Sequence, residues 1–320
     1  MNFTTQIPIS KSPKPIDYHS KIIAVGSCFA ANMGEKFDYF KFQHTANPFG
    51  IIFNPVSIAK LVSRVVNLNF YTEDDVFFYN ESWHCYEIHS ELSNPNKELF
   101  LAELNELVLL TQKQIQEATH CIITLGTSWV YRHIETNQIV ANCHKVPQKQ
   151  FTKELLSIAE IEKSLEQSIT EIKTLNLNCH FIFTVSPVRH IKDGFVENQR
   201  SKAHLITAIH QILQSEICNL KSAIYFPSYE IMMDELRDYR FYTEDMLHPN
   251  QTAIDYIWIR FFENYVDEKE FQTMQKICDI QKALLHKPFN HSSEKHLKFL
   301  ENLNQKITSI EEKMRNIEFK

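Results

Sequence analysis

Four short apolar runs, each cut off by a turn residue and each followed by a long segment of helical periodicity, limit this chain to one kind of architecture. The runs are Ile22-Ile23-Ala24-Val25 stopped by Gly26, Cys121 to Leu125 stopped by Gly126, His180 to Val185 stopped by Ser186-Pro187, and Ala223 to Phe226 stopped by Pro227. Strands that are apolar on both faces must be buried on both faces, and when helices separate them they form a parallel sheet covered on each side. After the first run, Phe29, Met33, Phe37 and Phe40 recur at helical spacing, and Asn54-Pro55 opens a helix striped by Ile58, Leu61, Val62 and Val65. Further helices are expected over about 96–116, 153–173 and 197–218. A hairpin or irregular insertion is expected over 76–88, and a short hairpin at Val130-Tyr131 and Ile139-Val140. From Pro249 the pattern is helical, and 291–320 carries Leu297, Leu300, Leu303, Ile307, Ile310 and Met314 at spacings of three and four. The chain therefore reads as an α/β domain over 1–265 and a helical extension over 266–320, packed on the core or joining copies of the chain as a homo-oligomer.

Composition removes several function classes. At 320 residues and 43% apolar content the chain can bury a sizeable core. A formal charge of -6 supplies no basic field for a phosphate backbone, so nucleic acid is not an expected partner. No apolar run is long enough to span a bilayer, and the first residues lack the apolar core of a secretory signal, so a membrane is not expected and the cytoplasm is the expected location. The seven cysteines form no C-x-x-C pair and read as reduced thiols, with neither a zinc site nor a disulfide framework. Nucleotide and metalloprotease motifs are absent, and no metal or organic cofactor is expected.

In a parallel sheet, ligands bind beyond the carboxyl ends of the strands. Those ends read Gly26-Ser27-Cys28, Gly126-Thr127-Ser128-Trp129 and Ser186-Pro187-Val188-Arg189-His190, with Asp245-Met246-Leu247-His248 beyond the last strand. A carboxylate three residues before a histidine can fix the imidazole tautomer and leave the other nitrogen to take a proton from a nucleophile. Ser27, at the mouth of the first helix, is the expected nucleophile; a plain N-cap is its structural alternative. Cys28 is the rival, because a thiol at a helix N-terminus can ionise and attack. Arg189, His190 and His144 are secondary candidates for binding a polar or anionic group.

The string Gly26-Ser27-Cys28-Phe29-Ala30 resembles the signature of the GSCFA family. The resemblance continues through Asn47-Pro48-Phe49-Gly50 with Asn54-Pro55, Leu125 to Tyr131, Asn142-Cys143-His144-Lys145, Ser186 to His190 and Asp245-x-x-His248-Pro249, over about residues 21 to 265. GSCFA proteins are similar to the SGNH/GDSL hydrolases, and this likeness implies a flavodoxin-like three-layer α/β/α fold and esterase chemistry. Carried over by position, Ser27 is the implied nucleophile, Gly50 the oxyanion glycine, and Asp245 and His248 the rest of a triad. Two departures stand out: Ser-Cys replaces the usual Asp-Ser in the first block, and Ser128 replaces the oxyanion asparagine of the third. Ser128 itself, Asn47 or Asn142 is the expected replacement donor. The implied activity is hydrolysis of an acyl ester of a small molecule or carbohydrate. An O-acyltransferase with the same triad and a non-catalytic binding protein of the same fold are the alternatives.

Overall fold

The computed structural model describes residues 5–215, 222–291, 293–314 and 317–319. The first apolar run forms β1 (Lys21–Gly26), and α1 (Cys28–Tyr39) follows after the single residue Ser27. β2 (Gln43–Ala46) comes next, and α2 (Pro55–Val66) starts at Asn54, whose side chain accepts the Ser57 N–H at 2.8 Å. A hairpin of β3 (Phe77–Tyr79) and β4 (Ser82–His84) precedes α3 (Lys97–Glu117) and β5 (His120–Leu125). β6 (Trp129–His133), β7 (Gln138–Val140) and β8 (Phe151–Leu155) build a separate antiparallel sheet with β6 in the middle. The core resumes with α4 (Ile158–Leu175), β9 (His180–Val185), α5 (Phe195–Gln214) and β10 (Ala223–Phe226). After the short turn α6 (Ser228–Glu230) come α7 (Gln251–Tyr265), α8 (Phe271–Leu284) and α9 (Glu294–Glu311).

The main sheet has the order β2-β1-β5-β9-β10 with every pair parallel. Counted along the chain within this sheet, that is the 2-1-3-4-5 order of flavodoxin-like doubly wound folds. Alternate side chains leave opposite faces of a strand. Ile23, Ile123, Phe181 and Phe183 pack with Leu61, Leu104, Leu165 and Leu205 from α2, α3, α4 and α5. Ile22, Ala24, Ile122, Ile182 and Phe226 pack with Phe29 and Phe37 of α1, Trp258 and Phe261 of α7, and Ile277 of α8. Leu303 and Ile310 of α9 belong to this second cluster, so the terminal helices cover the α1/α7 face. The result is three layers, with the carboxyl ends of β1, β5, β9 and β10 along one edge.

Two elements differ from the sequence expectation. β2 is an added edge strand whose Gln43-His44-Thr45-Ala46 sequence is half-buried throughout. Phe151–Leu155 is a strand where a helix was expected from about 153, and α4 begins instead at a Ser157/Glu160 capping box. The end of the helix expected to reach Cys218 lies outside the described residues. Among the described residues, no helix is long and apolar enough to cross a membrane.

Candidate active site

The β1–α1 turn is built by a close approach that only glycine permits. Gly26 has φ +144, and a Cβ there would lie 2.1 Å from the Thr124 carbonyl oxygen of β5. Ser27 next door donates its backbone N–H to that same Thr124 oxygen at 3.0 Å, while its Oγ accepts the Phe29 N–H at 3.2 Å. It is 2% exposed. The hydroxyl therefore caps α1, and the Ser27 amide is committed to the sheet. Asn47 braces the turn from behind: its Oδ1 accepts the Gly26 N–H at 2.8 Å and its Nδ2 donates to the Ser27 carbonyl at 3.4 Å.

Cys28, the first residue of α1, is half-buried and free of any disulfide. Burial raises its thiol pKa, against the opposing pull of the Phe29 N–H, the Lys202 ammonium and its own N–H.

The Asp245–His248 loop is an ordered turn. Asp245 Oδ2 accepts from His248 Nδ1 at 2.5 Å, and its Oδ1 accepts the Leu247 N–H at 2.8 Å, the His248 N–H at 3.0 Å and the Thr243 hydroxyl at 2.7 Å. The His248 N–H, the His248 ring, the Leu247 N–H and Thr243 together hold the Asp245 carboxyl well below the usual carboxylate range. Both side chains are about half exposed, and among the described residues no group bonds to His248 Nε2. The loop is fastened to the end of β9 by Arg189, which donates its backbone N–H to the Leu247 carbonyl at 3.3 Å and its guanidinium to the Met246 carbonyl. That guanidinium also stacks 4.4 Å over the Tyr242 ring.

Several residues read from the sequence as oxyanion or substrate donors hold other posts. The Gly50 N–H is donated to the Asn47 carbonyl at 2.8 Å, and its φ of +73 packs it against His89 and Glu91. Ser128 is buried and doubly tied to α5, its N–H to Ser201 Oγ at 2.7 Å and its hydroxyl to the Ser201 carbonyl at 3.1 Å. Asn142 spends its side-chain oxygen on the His144 N–H at 2.8 Å, shaping a turn that seats His144 on the Cys85 carbonyl. Arg189 is a clamp on the histidine loop. His190 does face the site: its ring lies 5.6 Å from that of Phe53, and its buried Nε2 has no partner among the described residues. Burial and the neighbouring charges of Lys202 and His248 push its pKa down to about 3, so it is a neutral imidazole.

Lys202 was not singled out from the sequence. It projects from α5, is 1% exposed, and donates to the Gly126 carbonyl at 2.7 Å and the Ser186 carbonyl at 2.8 Å. These residues directly follow β5 and β9. Lys202 thus bridges the turns after β5 and β9, on the sheet edge that also carries the Ser27–Cys28 turn after β1. Among the described residues, no group of three or more His, Cys, Asp or Glu could hold a metal ion.

The model of the GSCFA family matches residues 21–261, and that of the GSCFA domain protein, C-terminal domain, matches residues 277–320. No match is found among the curated proteins. Among solved structures, a Clostridium thermocellum family 3 carbohydrate esterase aligns over 83% of this chain and 99% of its own, with 11% identity and a TM-score of 0.34.

Proposed function

The chain belongs to the GSCFA family, and from that premise we propose that it is an acyl-ester hydrolase whose base is His248, oriented by Asp245, and whose nucleophile stands at the N-terminus of α1. The Asp245–His248 hydrogen bond carries this reading. A carboxylate held ionised by four donors fixes the Nδ1–H tautomer and leaves Nε2 as a base at the sheet edge. For the nucleophile, geometry favours Cys28 over the Ser27 expected from the sequence. Ser27 is enclosed and spends its oxygen on the helix cap, whereas Cys28, the first residue of α1, is only half-buried. In this reading His248 takes the thiol proton as sulfur bonds to the acyl carbon. The protonated imidazole returns that proton to the departing alcohol as its C–O bond breaks. Water, deprotonated by the same imidazole, then cleaves the thioester and restores the thiol. A small O-acylated molecule or carbohydrate is the proposed substrate, a class carried by the family likeness alone.

The test compares hydrolysis of short-chain p-nitrophenyl esters by wild type, Ser27→Ala, Cys28→Ala and His248→Ala. Cys28→Ala should abolish turnover and His248→Ala should lower it by about 10²–10⁴, while Ser27→Ala keeps most of the activity. Loss of turnover in Ser27→Ala with Cys28→Ala active would return the role to serine; no hydrolysis by wild type would sink the hydrolase reading.

A further inference from the structure

We propose that the groove between α8 and α9 is a binding site for a single-chain fatty-acid carboxylate, its chain laid on an apolar floor and its head group held by lysines at the rim.

The two helices leave a cavity of about 570 Å³ between them, a size within the range of small-molecule sites. Its lining runs along α8 from Thr273 to Ile280. Along α9 it runs from Asn302 to Ile310, about 12 Å of helix at 1.5 Å per residue, and on through the turn that carries Lys313 and Met314. The space is therefore a trough between two helices, which suits an extended chain. Its floor is apolar: Ile280 and Ile310 are core residues, and Met314 packs against the same cluster. Its rim is basic. Lys276, Lys306 and Lys313 line it, all three are exposed, and among the described residues their ammonium groups have no hydrogen-bond or ion-pair partner. Asp279 is the one carboxylate among the lining residues, and its Oδ1 accepts the Gln275 amide at 2.9 Å.

These lysines do not serve the helices that carry them. Ion pairs along a helix form between residues three or four apart, yet those neighbours of Lys306 are Asn302, Leu303, Ser309 and Ile310. Glu301 and Glu312 line a separate hollow along α9. The charges are thus sorted, with Lys306 toward α8 and these glutamates elsewhere. Three cations against one carboxylate select an anionic head, and the apolar floor selects a chain. Lysine joins the two requirements, because its methylene stem lies along apolar surface while its ammonium stays at the water's edge. An anion without a chain makes no use of the floor, and a neutral chain makes none of the rim.

This binding is independent of the proposed hydrolysis and is measured without turnover. Isothermal titration of the full chain with laurate, kept below its micelle concentration, should show saturable one-to-one binding. Butyrate has the head without the chain, and dodecyltrimethylammonium has the chain with the opposite charge; neither should saturate the site. Lys306→Glu and Lys313→Glu should each weaken laurate binding about five- to ten-fold, since an attraction becomes a repulsion. Ser309→Trp fills the trough without changing its charge and should block binding. All three positions are exposed, so the variants should melt like wild type. Lys295→Glu, on α9 but outside the lining, should bind laurate as wild type does. Absence of saturable laurate binding to wild type, binding that ignores the reversals or Ser309→Trp, or equal binding of the cationic chain would each overturn the proposal.

Discussion

At the residue scale, the site depends less on the residues that carry chemistry than on those that aim them. Arg189 reads from sequence as a substrate contact, but its guanidinium is spent on the Met246 carbonyl and the Tyr242 ring. Its removal should misplace His248, and misplacement by a fraction of an ångström is felt in the chemical step. We predict that Arg189→Ala lowers kcat by about ten- to a hundred-fold with KM little changed; a raised KM with kcat intact would show that it binds substrate after all. Asp245 and His248 were legible because the two partners lie three residues apart in one turn. Lys202 was not, because a lysine in a helix reads as solvated. Its signal was positional: Asn198, Lys202, Leu205 and Ile209 share the buried stripe of α5, which placed this lysine on the core face.

At the scale of elements, the four central strands were legible because each is an uninterrupted apolar run closed by a turn residue. β2 was hidden because an edge strand half-buried along its length needs no apolar run. β8 was misread because Lys153-Glu154-Leu155 are good helix formers, and pairing with β6 overrides that preference. The Ser157-x-x-Glu160 box gave the true start of α4 and was available in the sequence. The joint between β1 and α1 tolerates least. Gly26→Ala would drive a methyl into the Thr124 carbonyl and force a conformation that side chains resist. It should cost about 3 kcal/mol or more in a urea melt, above the ~1 kcal/mol expected for loss of the Ser27 cap in Ser27→Ala.

At the scale of the whole molecule, buried bases and buried acids set opposite limits on stability. Burial pushes His120 and His144 down to about 4, and burial beside Lys202 and His248 pushes His190 to about 3. Unfolded histidines bind protons near 6.5, so the unfolded chain holds more protons in this range. Stability should fall as pH drops from about 6.5 toward 4, by about 1.4 kcal/mol per pH unit for each such group at most. Lys202, depressed to about 7, works the same way at higher pH, adding stability between about 7 and its unfolded value near 10.4. Burial raises the thiols of Cys85 and Cys179 to about 12, so their contribution is lost once pH passes the unfolded thiol value near 8.5. Urea midpoints should therefore climb from pH 4, peak near pH 8 to 9 and then decline; a flat profile between pH 4 and 6.5 would show that these histidines are hydrated in solution.

The terminal helices lend the same face a different significance. The far end of α1 is gripped by α8, with the Tyr39 hydroxyl 3.6 Å from the Cys278 sulfur and the Gln281 amide donating to the Tyr39 carbonyl at 3.1 Å. The helix that presents Cys28 at one end is thus anchored at the other by the segment matching the second family model. The boundary between the two matched regions is consequently a poor place to cut: a chain ending before 277 would strip Ile277, Ile280, Leu303 and Ile310 from the cluster that holds Phe37, Trp258 and Phe261 and release the heel of the helix that carries the proposed nucleophile. Recombining family members by exchanging their tails would change the footing of the proposed active site as well as the outer surface.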